Sequence, residues 1–195
     1  MSAYRCPVCD YVYDESAGAP REAFCAAVPR LHVLVNNAGG AKGTTSVMDA
    51  DEDQWRWMWE TNVLGTLRMV RGLMPVLVET GDGLVITITS IAAIESYDNG
   101  SGYTSAKHAQ AVLHRTLRGE HLGQPVRFTE IAPGMVFTPE FTLNRLGGDQ
   151  VAAEQVYDGV DQPLVASDVA DVIAAAEKII GQYPDAAGYS PAPIL

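Results

Sequence analysis

The chain has 195 residues, 47% of them hydrophobic and 19% charged, an ordinary composition for one main domain with a sizeable buried core. Its formal charge is −11 and no run of Lys or Arg forms a stripe, which argues against nucleic acid or an anionic membrane as partner. Residues 1–30 contain no apolar stretch long enough for a signal peptide, and no segment reaches the roughly 20 apolar residues of a membrane span, so the chain reads as cytoplasmic. Three cysteines, Cys6, Cys9 and Cys25, are too few and too clustered for a disulfide framework, in keeping with a reducing compartment.

Residues 1–24 carry Cys-Pro-x-Cys followed by Tyr-Val-Tyr-Asp-Glu and have no helical period. They resemble the first half of a rubredoxin, a family in which each Cys-x-x-Cys knuckle gives two thiolates to one iron. Cys6 and Cys9 are therefore candidate metal ligands, with Cys25 a candidate third. The sequence has no second knuckle, and two thiolates leave a tetrahedral site half open, which favours reduced thiols over bound iron. The expected organisation is a small rubredoxin-like hairpin over residues 1–28 and a main domain over 29–195.

From Leu31 the pattern becomes LHVLV, a short buried strand that ends in a turn at Asn36-Asn37-Ala38-Gly39. A helical pattern follows from about Asp53 to Glu79, with Pro75 expected to kink its last part. Asn62 lies inside that helix, where its short amide gains nothing from propensity. The glycine turn at 81–83 leads into LVITITS, a second buried strand closed by Ser90. Tyr103 and Lys107 open the next helix, which is expected to run to about Leu122. PVRFTEIAPG gives a third buried strand, ended by Pro133-Gly134. Ser167 is placed to cap a last helix, and the tail after Ile180 has no strand pattern.

Ser90 stands thirteen positions before Tyr103, and Lys107 follows Tyr103 by one helical turn. That spacing puts an ammonium beside a phenol and is expected to draw its pKa below the ordinary value of ~10, making a usable proton carrier. The order of NNAG, the asparagine of TNVLGT, Ser-x12-Tyr-x-x-x-Lys and APGMVFTPEF resembles the short-chain dehydrogenase/reductases over about residues 31–175. The likeness is to the branch acting on small hydroxy acids and alcohols.

The resemblance implies an α/β fold with a truncated Rossmann-like parallel sheet in three α/β/α layers, and a homo-oligomer paired through the helices bearing Asn62 and Tyr103. It implies an NAD or NADP cofactor and a small alcohol or carbonyl substrate. Tyr103 passes the proton, Ser90 holds the substrate oxygen, Lys107 tunes the phenol and binds ribose, and Asn62 orders a relay water. Asn36, Asn37, Ala38 and Gly39 border the cofactor, Pro133, Gly134, Val136 and Thr138 meet the nicotinamide side, and residues 139–160 form a substrate lid. The family's Gly-x-x-x-Gly-x-Gly turn, which receives the pyrophosphate at a helix N-terminus, occurs nowhere in the sequence, so weak dinucleotide binding is expected. Two alternatives follow: a remnant or fusion product without a working cofactor site, and an iron-binding electron-transfer module built on Cys6 and Cys9.

Overall fold

The computed structural model describes residues 3–5, 12–14 and 30–182. Near the N-terminus β1 (Ala3–Arg5) pairs antiparallel with β2 (Val12–Asp14), Tyr4 opposite Tyr13. Cys6, Cys9 and Cys25 lie outside the described residues, and with them the proposed iron site.

The main sheet is parallel, in the order β3 (Val33–Asn36), β4 (Gly83–Ile88), β5 (Val126–Ile131). Val33 pairs with Leu84 and Ile88 with Ile131. The three apolar runs expected as buried strands are these strands, but β3 and β5 are only partly buried. All six residues of β4 are buried, as a central strand covered on both faces requires. Among the described residues no strand pairs with the outer edge of β3.

One face carries α2 (Gly65–Glu79) and α3 (Ser101–Glu120), whose Val70, Leu73, Leu77 and Leu117 meet Leu34, Val85 and Val126. The other face gathers Leu84, Ile86 and Ile88, against which Ile173 of α6 (Ala166–Gln182) packs. Beyond β5 come β6 (Val136–Phe137), α4 (Pro139–Arg145), α5 (Gln150–Gln155) and β7 (Leu164–Val165), with β6 and β7 parallel; residues 139–160, the segment expected as a lid, hold α4 and α5. No helix among the described residues is long and apolar enough to cross a membrane.

Two local expectations need correction. The helix from Asp53 is α1 (Glu52–Trp59), a five-residue π turn (Glu60–Leu64) and then α2, which runs past Pro75 to Glu79. The winding changes around Asn62, whose side chain bonds the preceding loop. The last helix begins at Ala166, ahead of Ser167, and the Asp168 carboxylate accepts the Val165 N–H at 2.8 Å.

α3 turns a row of polar groups inward, among them His114, which is 3% exposed and shares a 2.9 Å hydrogen bond between Nδ1 and Thr87 Oγ1. Burial pushes this imidazole down from 6.5 to about 4, so the fold holds it neutral. Between about pH 6.5 and about 4 the unfolded chain binds more protons than the folded one, so stability falls as pH falls through that window, by roughly 3 kcal/mol in all. In urea titrations across this range His114→Gln should flatten the slope relative to the parent. Identical slopes would remove His114 as the cause.

Candidate active site

The site lies where β3 and β4 end, at the carboxyl edge of the parallel sheet. Ser90 is extended, with φ −173° and ψ 162°, and its Oγ accepts the Ala92 N–H at 3.1 Å, fixing the hydroxyl at the head of a 3-10 turn (Ile91–Ala93). The same side chain hydrogen-bonds Tyr103. Tyr103 sits in the first turn of α3, edge-on to Phe141 of the lid with ring centroids 5.8 Å apart. A Cβ on Gly102 would collide with Met58 and come within 2.9 Å of Trp55 Nε1, so glycine here lets the Tyr103 turn lie directly on α1.

Lys107 is 4% exposed. Its Nζ donates to the Ile88 carbonyl at 3.0 Å and to Gln110 Oε1 at 2.9 Å, and stands 5.9 Å from the centre of the Tyr103 ring. From Gln110 the bonding continues, Nε2 donating to Thr66 Oγ1 at 2.9 Å and Thr66 Oγ1 to the Asn62 carbonyl at 2.9 Å. Asn62, fully buried, clamps the loop after β3: its Oδ1 accepts the Gly40 N–H at 3.1 Å and its Nδ2 donates to the carbonyls of Gly40 at 2.9 Å and Met58 at 2.8 Å. Gly39 has to be glycine in this clamp, because a Cβ would strike the Asn62 amide. The π turn frees the backbone geometry that brings Asn62 to this loop, the usual use of such a bulge.

The electrostatics depart from the expectation of a lysine-lowered phenol. Burial pushes the Tyr103 phenol up to about 12, against which the Ser90 hydrogen bond and the Arg145 charge act in the lowering direction. Burial also pushes Lys107 down to about 8. On these values the lysine is already neutral when the phenol ionises, so in this state no ammonium is present to favour the phenolate. The cation that does lower the phenol is Arg145, a residue the sequence patterns did not single out.

Ser90, Tyr103, Lys107 and Asn62 thus converge, the last through two side chains, Gln110 and Thr66, that sequence reasoning missed. A signal existed: Tyr103, Lys107, Gln110, His114 and Leu117 recur at helical spacing, which marks Gln110 as inward-facing. Of the turn residues, Asn36 is buried, while Asn37, Ala38 and Gly39 are exposed. Pro133 reaches the site through its carbonyl, which accepts the Ile91 N–H at 2.9 Å. Gly134 is exposed, Val136 lies in β6 with its carbonyl accepting the Tyr157 hydroxyl at 3.2 Å, and Thr138 precedes α4. Among the described residues no group of three His, Cys, Asp or Glu could hold a metal ion.

The family model described as short chain dehydrogenase matches residues 8–145, most of the chain. The chain belongs to the short-chain dehydrogenase family. That match begins inside residues 1–28, the segment set apart as rubredoxin-like, and it gives the rubredoxin likeness no support. An uncharacterized oxidoreductase of Mycobacterium tuberculosis is 66% identical over 133 residues, covering 68% of this chain and 52% of that protein. The NADP-dependent 3-hydroxy acid dehydrogenase of Schizosaccharomyces pombe is 41% identical over 143 residues, covering 73% of this chain and 54% of the relative. Among solved structures, the closed form of serine dehydrogenase complexed with NADP+ superposes with a TM-score of 0.79 at 32% identity, covering 84% of this chain and 67% of that one. The chain spans about half the length of the curated relatives it matches.

Proposed function

We propose that the chain moves a hydride between a nicotinamide dinucleotide and a small alcohol, hydroxy acid or ketone. The observation that carries this reading is the placement of Ser90, Tyr103 and Lys107 together at the end of the sheet, Ser90 beside the Tyr103 phenol and Lys107 Nζ 5.9 Å from the centre of its ring, with Lys107 hydrogen-bonded through Gln110 and Thr66 to Asn62. The Ser90 hydroxyl is placed to hold the substrate oxygen, and the neighbouring phenol to take its proton during oxidation and return it during reduction. Lys107, with two of its three N–H groups spent on Ile88 and Gln110, keeps one to donate to a ribose hydroxyl.

The chain's own residues fit such a cofactor at this edge. Asn36 Nδ2 is buried and has no partner, an unspent donor at the head of the turn. Asn36, Asn37, Ala38, Gly39, Tyr103 and Lys107 would border its ribose side, with Pro133, Gly134, Val136 and Thr138 at the nicotinamide end. When bound, the nicotinamide supplies the hydride acceptor or donor. The names of the Schizosaccharomyces relative and of the serine dehydrogenase complex favour NADP over NAD. The exposed Trp57, Trp59, Leu64 and Val112 on α1, the π turn and α3 support pairing of two copies through these helices, which sedimentation would detect. The direct test is the appearance of reduced cofactor when the purified chain is given excess NADP+ and a panel of small 2- and 3-hydroxy compounds. No turnover above a protein-free control, at any cofactor concentration, would overturn the proposal.

A further inference from the structure

Beside Tyr103 a narrow cleft is lined by Lys42, Gly43, Trp55, Gly100, Tyr103 and Arg145 among others. Arg145, at the C-terminal end of α4, is fastened at three points. Its backbone carbonyl accepts the Gly43 N–H at 2.9 Å, its Nε donates to the Gly43 carbonyl at 3.3 Å, and its Nη1 donates to Tyr97 OH at 3.0 Å. So held, the guanidinium lies 5.5 Å from the Tyr97 ring centre and 5.8 Å from that of Tyr103.

There are 24 acidic against 13 basic side chains, and Arg56, Arg68, Arg115 and Arg127 each pair with a carboxylate. Arg145, next to the reacting phenol, pairs with a neutral phenol and a carbonyl, and no carboxylate of the described residues lies within ion-pair distance. Lys42 adds a second cation to the cleft, its Nζ 5.1 Å from the Trp57 ring centre. Asp51 is the acidic residue in the lining, and its carboxylate is committed to the N-terminus of α1, accepting the N–H groups of Asp53 at 2.8 Å and Gln54 at 3.4 Å.

From this geometry we infer that the cleft selects a substrate bearing a carboxylate or similar acid group near the reacting hydroxyl, and that Arg145 is the residue that reads it, with Lys42 in support. A planar guanidinium with an N–H edge left over suits a carboxylate better than a neutral group. The inference rests on the proposed hydride-transfer reading for the identity of the reacting end. Arg145 ends α4 and is already bonded to Gly43 and Tyr97, so an acid that engages it meets a guanidinium held in place.

The test uses the full chain with excess NADP+ and its own tryptophans as reporters, since Trp55 lines the cleft and Trp57 underlies Lys42. Fluorescence is titrated with 3-hydroxybutyrate and with its uncharged analogue of the same shape, 3-hydroxybutyramide. The acid is expected to bind about tenfold more tightly than the amide, the low end for one charge-assisted contact at a half-buried site. Arg145→Met should bring the two to parity, and Arg145→Lys, which keeps the charge but loses the fork, should retain part of the preference. Circular dichroism of both variants establishes that they are folded. Equal binding of acid and amide by the parent, no saturable response to the acid, or an undiminished acid preference in a folded Arg145→Met would each overturn the inference. The two readings fail separately: an Arg145-dependent acid preference with turnover unaffected by Tyr103→Phe would keep the acid subsite and discard the assigned chemistry.

Discussion

Tyr103→Phe is expected to lower the turnover of a hydroxy substrate by roughly 10²–10⁴-fold, the usual range for removing a positioned acid–base group. Phenylalanine keeps the edge-on packing against Phe141 and the ring beneath Arg145, and deletes only the hydroxyl that bonds Ser90. Because the fold survives, lost rate reports lost chemistry. The phenol, pushed up to about 12, adds a directional expectation. Oxidation needs the phenolate, whose population grows as much as tenfold per pH unit below its pKa, so the oxidation rate should climb through the neutral range while reduction does not. Near-parental turnover in Tyr103→Phe would refute the assignment. A pH profile already flat at 7 would mean that cofactor or substrate brings the phenol far below its value in the free chain.

The second large effect concerns the dinucleotide. A polypeptide of these 195 residues is expected to bind NADPH and NADH only in the millimolar range or weaker. The sequence contains no Gly-x-x-x-Gly-x-Gly turn, and the charge-assisted bonds such a turn makes to pyrophosphate contribute roughly 1.5–3 kcal/mol each. Without two of them, about 3–6 kcal/mol, a micromolar dissociation constant becomes millimolar or worse, since each 1.4 kcal/mol is tenfold. Asn36 Nδ2 and the remaining N–H of Lys107 offer donors to a ribose, not to two phosphates. Titration calorimetry measures this directly. Micromolar affinity for either nucleotide would mean that other groups of the chain, or of a second copy, rebuild the phosphate site.

Much of the sheet and the candidate site residues could be read from the sequence, because the signals are local. LHVLV, LVITITS and PVRFTEI are short apolar runs bounded by turns, and all three supply strands of the parallel sheet; burial along the whole strand holds for β4 alone of the three, because β3 and β5 lie partly open. Tyr103 and Lys107 share a face because four residues make one helical turn, and Ser90 meets them because a functional group at the end of a parallel strand faces the same edge. A kink is expected at Pro75, whose local penalty is visible in sequence; the change of winding around Asn62 is not. There the helix changes its winding so that one amide can satisfy Gly40 and Met58, residues in two different segments.

By itself, then, the sequence determined the strands, the order of the motifs and the choice of Ser90, Tyr103 and Lys107 as candidate site residues, all consequences of spacing along the chain. Only the tertiary structure decided how those groups ionise and what stands around them. Burial of Lys107 and Tyr103 depends on the segments packed over them, and it raises the phenol's pKa where the spacing alone led to the expectation of a lowered one. Gln110 and Thr66 bridge Lys107 to Asn62 across three helical segments, and Arg145 reaches Tyr103 from a lid helix 42 residues further along the chain. Desolvation and long-range charge depend on distance in space, and no periodicity in the sequence encodes that distance.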